Sequence, residues 1–162
     1  MHGIRPILLT VVLLLPALCR AAEMCPWLNA ATAGGALGGA VSMTVTRRDS
    51  NKDDANCDFV RKQGAVMYEL RIEVQTMGEA VKEFASYRAQ CGSDTTSLKA
   101  IGNEAVACSL DDKNGNRSAL VVSLVRDRAF VIRVITTDSA MAAASLSEKA
   151  RSMAEQVAGN LF

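Results

Sequence analysis

The sequence predicts an α+β domain, an antiparallel sheet of about five to six strands with helices packed on one face, in the order α-βββ-α-βββ-α. Three observations carry that prediction. Residues 68–75 alternate apolar and polar side chains, the period of a strand with one face buried and one wet. Residues 120–125 and 130–135 are apolar on both faces apart from Ser123 and Arg133, which suits central strands. Two further segments, about Phe84 and about Met153, repeat apolar residues at helical spacing.

Taken in order, Cys25-Pro26-Trp27-Leu28 opens a first helix, with Pro26 at the first turn where a missing N–H costs nothing. Ala30, Ala31, Ala33, Ala36 and Leu37 continue it and Gly38-Gly39 ends it. The internal Gly34-Gly35 would weaken an isolated helix by about 2 kcal/mol, so its backbone is expected to lie close against another element. A strand over 41–46 follows, then an exposed polar connection over 47–56, then a short strand over 57–60. In the third strand Tyr68, Leu70, Ile72 and Val74 face the core, while Glu69, Arg71 and Glu73 face water. Thr76-Met77-Gly78-Glu79 reads as a capping box for a second helix through Gln90, whose Ala80, Val81, Phe84, Tyr87 and Cys91 cover the sheet.

The second set of strands runs over 105–110, 118–125 and 129–136, the first pair joined by a turn containing Asn114-Gly115. Asp138 or Ser139 caps the last helix, which turns Leu146, Ala150, Met153, Ala154, Val157 and Leu161 toward the sheet. The order suggests a weak duplication of an α-βββ unit. Asn116-Arg117-Ser118 is a glycosylation sequon, relevant only in a eukaryotic host.

The amino terminus has the character of an export signal. His2 and Arg5 precede an apolar run of about 12 residues, too short to span a bilayer. Cys19-Arg20-Ala21 offers small residues where a signal peptidase needs them, so cleavage is expected after Ala21, leaving a single domain over 22–162. Roughly 140 residues suffice for one core and are too few for two. Lipidation at Cys19 or Cys25 is the rival processing route and the only one that would give a membrane anchor. Leu18 and Met24 stand where that route needs a small residue.

Loss of the leader changes the chemistry. Without Arg5 and Arg20, 16 basic residues face 17 acidic ones, so no steering toward nucleic acid or anionic lipid is expected. His2 is the only histidine, and its removal excludes hydrolases that use a His base and His-ligated metal sites. Cys25, Cys57, Cys91 and Cys108 remain, an even count that reads as two disulfides in an oxidising compartment, periplasmic or secreted. Four cysteines allow three pairings; Cys25–Cys57 and Cys91–Cys108 are favoured because each joins a helix end to a nearby strand. No C-x-x-C occurs, so a redox pair or a four-thiolate metal site is disfavoured. Asp49, Asn51 and Asp53 have the spacing that starts a calcium loop, but Asp54 replaces the required Gly and Val60 the closing Glu. No metal and no cofactor are expected.

Cys25 opening a helix that closes in Leu37-Gly38, the Cys57-x-Phe59 strand and the Gly102-Asn103-Glu104-Ala105 step share a pattern with a paired hairpin and an Ala- and Leu-rich last helix. In these features the chain resembles a group of small, largely actinobacterial, secreted lipoprotein-like domains of unknown function. The resemblance implies an envelope location and an α+β fold, and it brings no catalytic residues. The chain departs from that group in lacking a lipobox.

The leading functional expectation is a non-catalytic extracytoplasmic module that binds an envelope protein or a small ligand. Its site is expected on the uncovered sheet face at Glu69, Arg71 and Glu73, or in the loop over 47–54 with Asp49 and Asp53. The alternative is a glycan hydrolase working through paired carboxylates drawn from Asp53, Asp54, Asp111, Asp112, Glu69 and Glu73. Those residues fall in turns or on a wet face, where no apolar surroundings raise a pKa. A third expectation is a partner protein that presents an edge strand. Trp27 reads as a core anchor beside the first disulfide.

Overall fold

A computed structural model describes residues 24–47, 54–78 and 80–162 of the 162-residue chain. The elements are α1 (Ala30–Leu37), β1 (Ser42–Arg47), β2 (Ala55–Gln63), β3 (Val66–Thr76), α2 (Ala80–Ala89), β4 (Thr96–Leu98), β5 (Glu104–Asp111), β6 (Arg117–Val125), β7 (Arg128–Thr136) and α3 (Ala143–Leu161). The strands form one antiparallel sheet in the order β1-β2-β3-β7-β6-β5-β4. The α+β class and the antiparallel sheet are as the sequence predicts. The sheet has seven strands rather than five to six, because β4 adds a three-residue edge.

Two meanders, β1 to β3 and β4 to β7, meet at their last strands. β2 and β3 turn through Gly64-Ala65, where Gly64 supplies the positive φ that a two-residue hairpin loop requires. β6 and β7 turn through Arg126-Asp127, and β3 then pairs with β7 over nine register positions from Tyr68↔Thr136 to Thr76↔Arg128.

The helices lie on both faces of the sheet, which corrects the one-face expectation. Side chains alternate along each strand, so Phe59, Leu70, Ile72, Val121, Ile132 and Val134 point to one face and form the main core with α1 and α3. On the other face Val106, Leu120, Val122 and Val131 pack with Met77 and with Phe84 of α2. The doubly apolar strands β6 and β7 are buried on both sides for this reason. The strand order is that of two meanders related by a two-fold normal to the sheet. Such an axis would place α1 and α2 on the same face, so the relation covers the strands and not an α-βββ unit.

Both disulfides form in the expected pairing, Cys25–Cys57 and Cys91–Cys108. The first pins the segment ahead of α1 to β2; the second fastens the end of α2 to β5. Trp27 is buried in the main core, with its carbonyl accepting from Asn160 Nδ2 at 2.8 Å.

Several caps differ from the sequence reading. α1 begins at Ala30 and not at Pro26, because Asn29 Oδ1 accepts from the Thr32 amide at 2.8 Å. Gly38 ends the helix in the left-handed conformation. Gly34 is buried, but what it approaches is the Gly39 carbonyl just beyond the end of the same helix rather than a separate element. Thr76 closes β3, its amide bound to Asp54 Oδ1, and Glu79 of the expected capping box lies outside the described residues. Asp138 does not cap α3: one carboxylate oxygen accepts from the Ala140 amide and the other from the Tyr68 hydroxyl, while α3 starts after Ala142 without a side-chain cap. The buried face of α3 includes all six residues named from the sequence.

Candidate binding surface

α2 covers only part of its face of the sheet. It packs on β6 and β7 and reaches β3 only at Glu73 and Gln75 through Tyr87, leaving β1, β2 and the rest of β3 without a described helix over them on that side. The register sets a row across this face: Thr44 on β1, Asp58 on β2, Arg71 on β3, Arg133 on β7, then Leu120 and Cys108 near α2. The row passes from hydroxyl to charge to apolar side chain as it approaches the helix.

Arg71 organises the charged part. Its Nε donates to Asp58 Oδ1 at 2.7 Å and its Nη2 to Glu69 Oε1 at 2.6 Å. The bond to Asp58 is the main cause that holds the Arg71 pKa above its ordinary value, with the Glu69 charge adding to it against partial burial. Side-chain exposures of 48% for Arg71, 29% for Asp58 and 13% for Glu69 place the lattice at the surface with Glu69 its most enclosed member. Pairing at this depth contributes up to about 1 kcal/mol.

Where α2 meets the open strands, the Tyr87 hydroxyl lies 2.6 Å from Gln75 Oε1 and 3.1 Å from Glu73 Oε1. Arg133 Nη2 donates to Gln90 Oε1 at 3.0 Å. A crevice of about 110 Å³ between Arg71, Glu73, Gln90, Val131 and Arg133 marks this boundary. Of the expected binding residues, Glu69, Arg71 and Glu73 therefore come together on one face, and the structure adds Asp58, Tyr87, Gln90 and Arg133. Asp49 and Asp53 lie outside the described residues.

The carboxylates of the hydrolase reading are dispersed. Asp54 binds the Thr76 amide. Asp111 ends β5, three strands from Glu69 and Glu73. Asp112 holds the β5–β6 turn by accepting from the Asn114 amide, the Asn116 amide and Asn116 Nδ2 at 2.8, 2.9 and 2.7 Å. The Asn116 amide is the largest cause that keeps the Asp112 pKa below the usual carboxylate range. Among the described residues no group of three or more His, Cys, Asp or Glu side chains is placed to hold a metal ion.

Two open grooves on the opposite side were not visible in the sequence. One of about 650 Å³ runs between α1 and α3 past Thr32, Gly35, Ala36, Glu148, Lys149 and Met153, bridged where Lys149 Nζ donates to the Ala36 carbonyl. The other, about 530 Å³, lies between α3 and the β4–β5 edge. Each depends on the spacing between separate elements, which residue patterns within one element do not encode. Among the described residues no helix is long and apolar enough to cross a membrane. The chain matches no family model, no curated protein and no solved structure.

Proposed function

We propose that the chain is an exported, non-catalytic binding module of the cell envelope that engages a protein partner through the open half of its sheet, centred on Glu69, Arg71 and Glu73. The observation that carries this reading is the incomplete cover by α2, which leaves three strands with an ordered polar face. A surface whose charges are already paired and fixed loses little side-chain entropy on binding, and its breadth suits a protein better than a small molecule. Two disulfides support an oxidising extracytoplasmic location, in keeping with cleavage after Ala21 and with the resemblance to secreted lipoprotein-like domains.

A photoreactive residue at position 69 of the purified domain, exposed to envelope extract, is expected to crosslink a discrete partner. The same residue at position 139 is expected to give none. Arg71→Ala is expected to weaken that capture about tenfold, the scale of an interfacial arginine. Equal capture from both positions would overturn the reading. So would turnover of a glycan panel that disappears in Asp111→Asn. Intact-mass measurement of the exported protein fixes the cleavage site, and an added acyl mass at Cys19 would replace the free module by an anchored one, the Cys25 sulfur being taken up by its bond to Cys57.

A further inference from the structure

The two edges of the sheet are unlike. β4 is only three residues long, one of the ways in which natural sheets blunt an edge. β1 is six residues, Ser-Met-Thr-Val-Thr-Arg, and holds an unbroken register against β2 from Ser42↔Val60 to Arg47↔Ala55. It contains no proline, glycine, lysine or bulge, and no described strand lies beyond it. We propose that this edge pairs with the same edge of a second copy, forming a two-fold antiparallel β1–β1 dimer with Thr44 on the axis.

Register selects this arrangement. Two antiparallel strands keep their faces matched only when paired residues have the same parity. With Thr44 opposite Thr44, Ser42 meets Thr46 and Met43 meets Val45. Each rung then joins like to like: hydroxyls on the polar face, and apolar side chains on the face that carries the main core. Threonine pairs and aliphatic pairs are both favourable across strands. Met43 and Val45 are half-buried and already pack against that core, so the second copy removes from water what the monomer leaves exposed. Centring on Val45 instead would set Met43 against Arg47 inside the strand, whereas centring on Thr44 leaves Arg47 opposite Val41, beyond the end of β1.

Charge permits the same arrangement. Arg47 is the only charged residue of β1. In this register the two Arg47 residues lie about 20 Å apart along the strands, beyond the screening length in physiological salt. Six residues of edge bury less surface than the roughly 1,200 Å² of a standard interface, so the dimer forms at high concentration and exchanges readily. The axis is normal to the sheet, which brings the two open polar half-faces onto one side. The result is a floor of six strands, β3-β2-β1-β1-β2-β3, about 30 Å across and bounded at each end by an α2 helix. This inference does not depend on the proposed partner binding, and either can fail alone.

Sedimentation equilibrium of the oxidised protein from about 10 μM to about 1 mM is expected to show the mass rising toward twice that of the monomer. Thr44→Lys and Thr44→Glu each place like charges across the axis and are expected to weaken association more than tenfold. An equimolar mixture of the two restores it. Thr44 is exposed, and an unchanged near-ultraviolet circular dichroism spectrum checks that both variants fold. Thr44→Cys provides an independent reading, because two cysteines on the axis crosslink on mild oxidation and Thr46→Cys does not. A wild-type protein that stays monomeric throughout would overturn the proposal, as would charged variants that associate like wild type or a mixture that gains nothing over its components.

Discussion

Gly102 shows how one backbone position can hold a loop against a strand. Its φ is +66°, and a Cβ there would lie 2.4 Å from the Leu124 carbonyl oxygen and 2.8 Å from Ser123 Oγ. Around it the Asn103 amide donates to the Leu124 carbonyl, Ser123 Oγ donates to the Ile101 carbonyl, and Asn103 Oδ1 accepts from the Arg126 amide. Gly102→Ala is expected to cost more than about 3 kcal/mol, because left-handed strain adds to a clash with backbone. Gly64→Ala, at φ +61° but facing open space, is expected to cost about 1 kcal/mol. Urea unfolding of the two variants measures the difference. Asp112 gives a pH-dependent counterpart. Its folded pKa is depressed, so its contribution is present above the unfolded value near 4 and is lost as pH falls through the folded value. The stability gap between wild type and Asp112→Asn is therefore expected to narrow as pH falls below the ordinary carboxylate range, read as urea midpoints. In the sequence the Gly102-Asn103 step was visible only as a motif, since the strand it packs against lies some twenty positions away. Ser123 stood out as a hydroxyl in an apolar strand, and its bond to Ile101 supplies the reason.

At the scale of elements, α2 is the part most dependent on a covalent tie. It is a ten-residue helix packed through Phe84 and Tyr87 over a small apolar cluster, and Cys91–Cys108 fastens its end to β5 across a sequence separation of 17. Replacing both cysteines with serine is expected to cost about 3 kcal/mol on the chain-entropy account. Hydrogen exchange is expected to show amide protection lost in 80–91 before α3 changes. A uniform loss over both helices would mean that α2 does not open as a separate unit. β3 and α3 were legible because each is long and strictly periodic. β4 was not, since Thr96-Ser97-Leu98 is too short to show a period. The face chosen by α2 was also missed, although the information was present: strands apolar on both sides need cover on both sides, and the uncovered strands are those that alternate. The charged residues of β3 were recognised for that reason, whereas Asp58, Tyr87, Gln90 and Arg133 join them only through pairings between distant segments.

For the molecule as a whole, class, disulfide pairing and central strands followed from composition and pattern, while the grooves, the helix on the second face and the companions of Arg71 required the assembled sheet. The joint between the two meanders is the least local feature. β3 waits for β7, so Leu70, Ile72 and Val74 have a neighbour on only one side until residues 128–136 are available. The disulfides obey the opposite logic. Each cysteine of the domain bonds the next one along the chain, first to second and third to fourth. On the export proposed above, a polypeptide threading amino-terminus first into an oxidising compartment would present Cys57 to Cys25 before Cys91 has emerged, so the order of arrival would favour the native bridges.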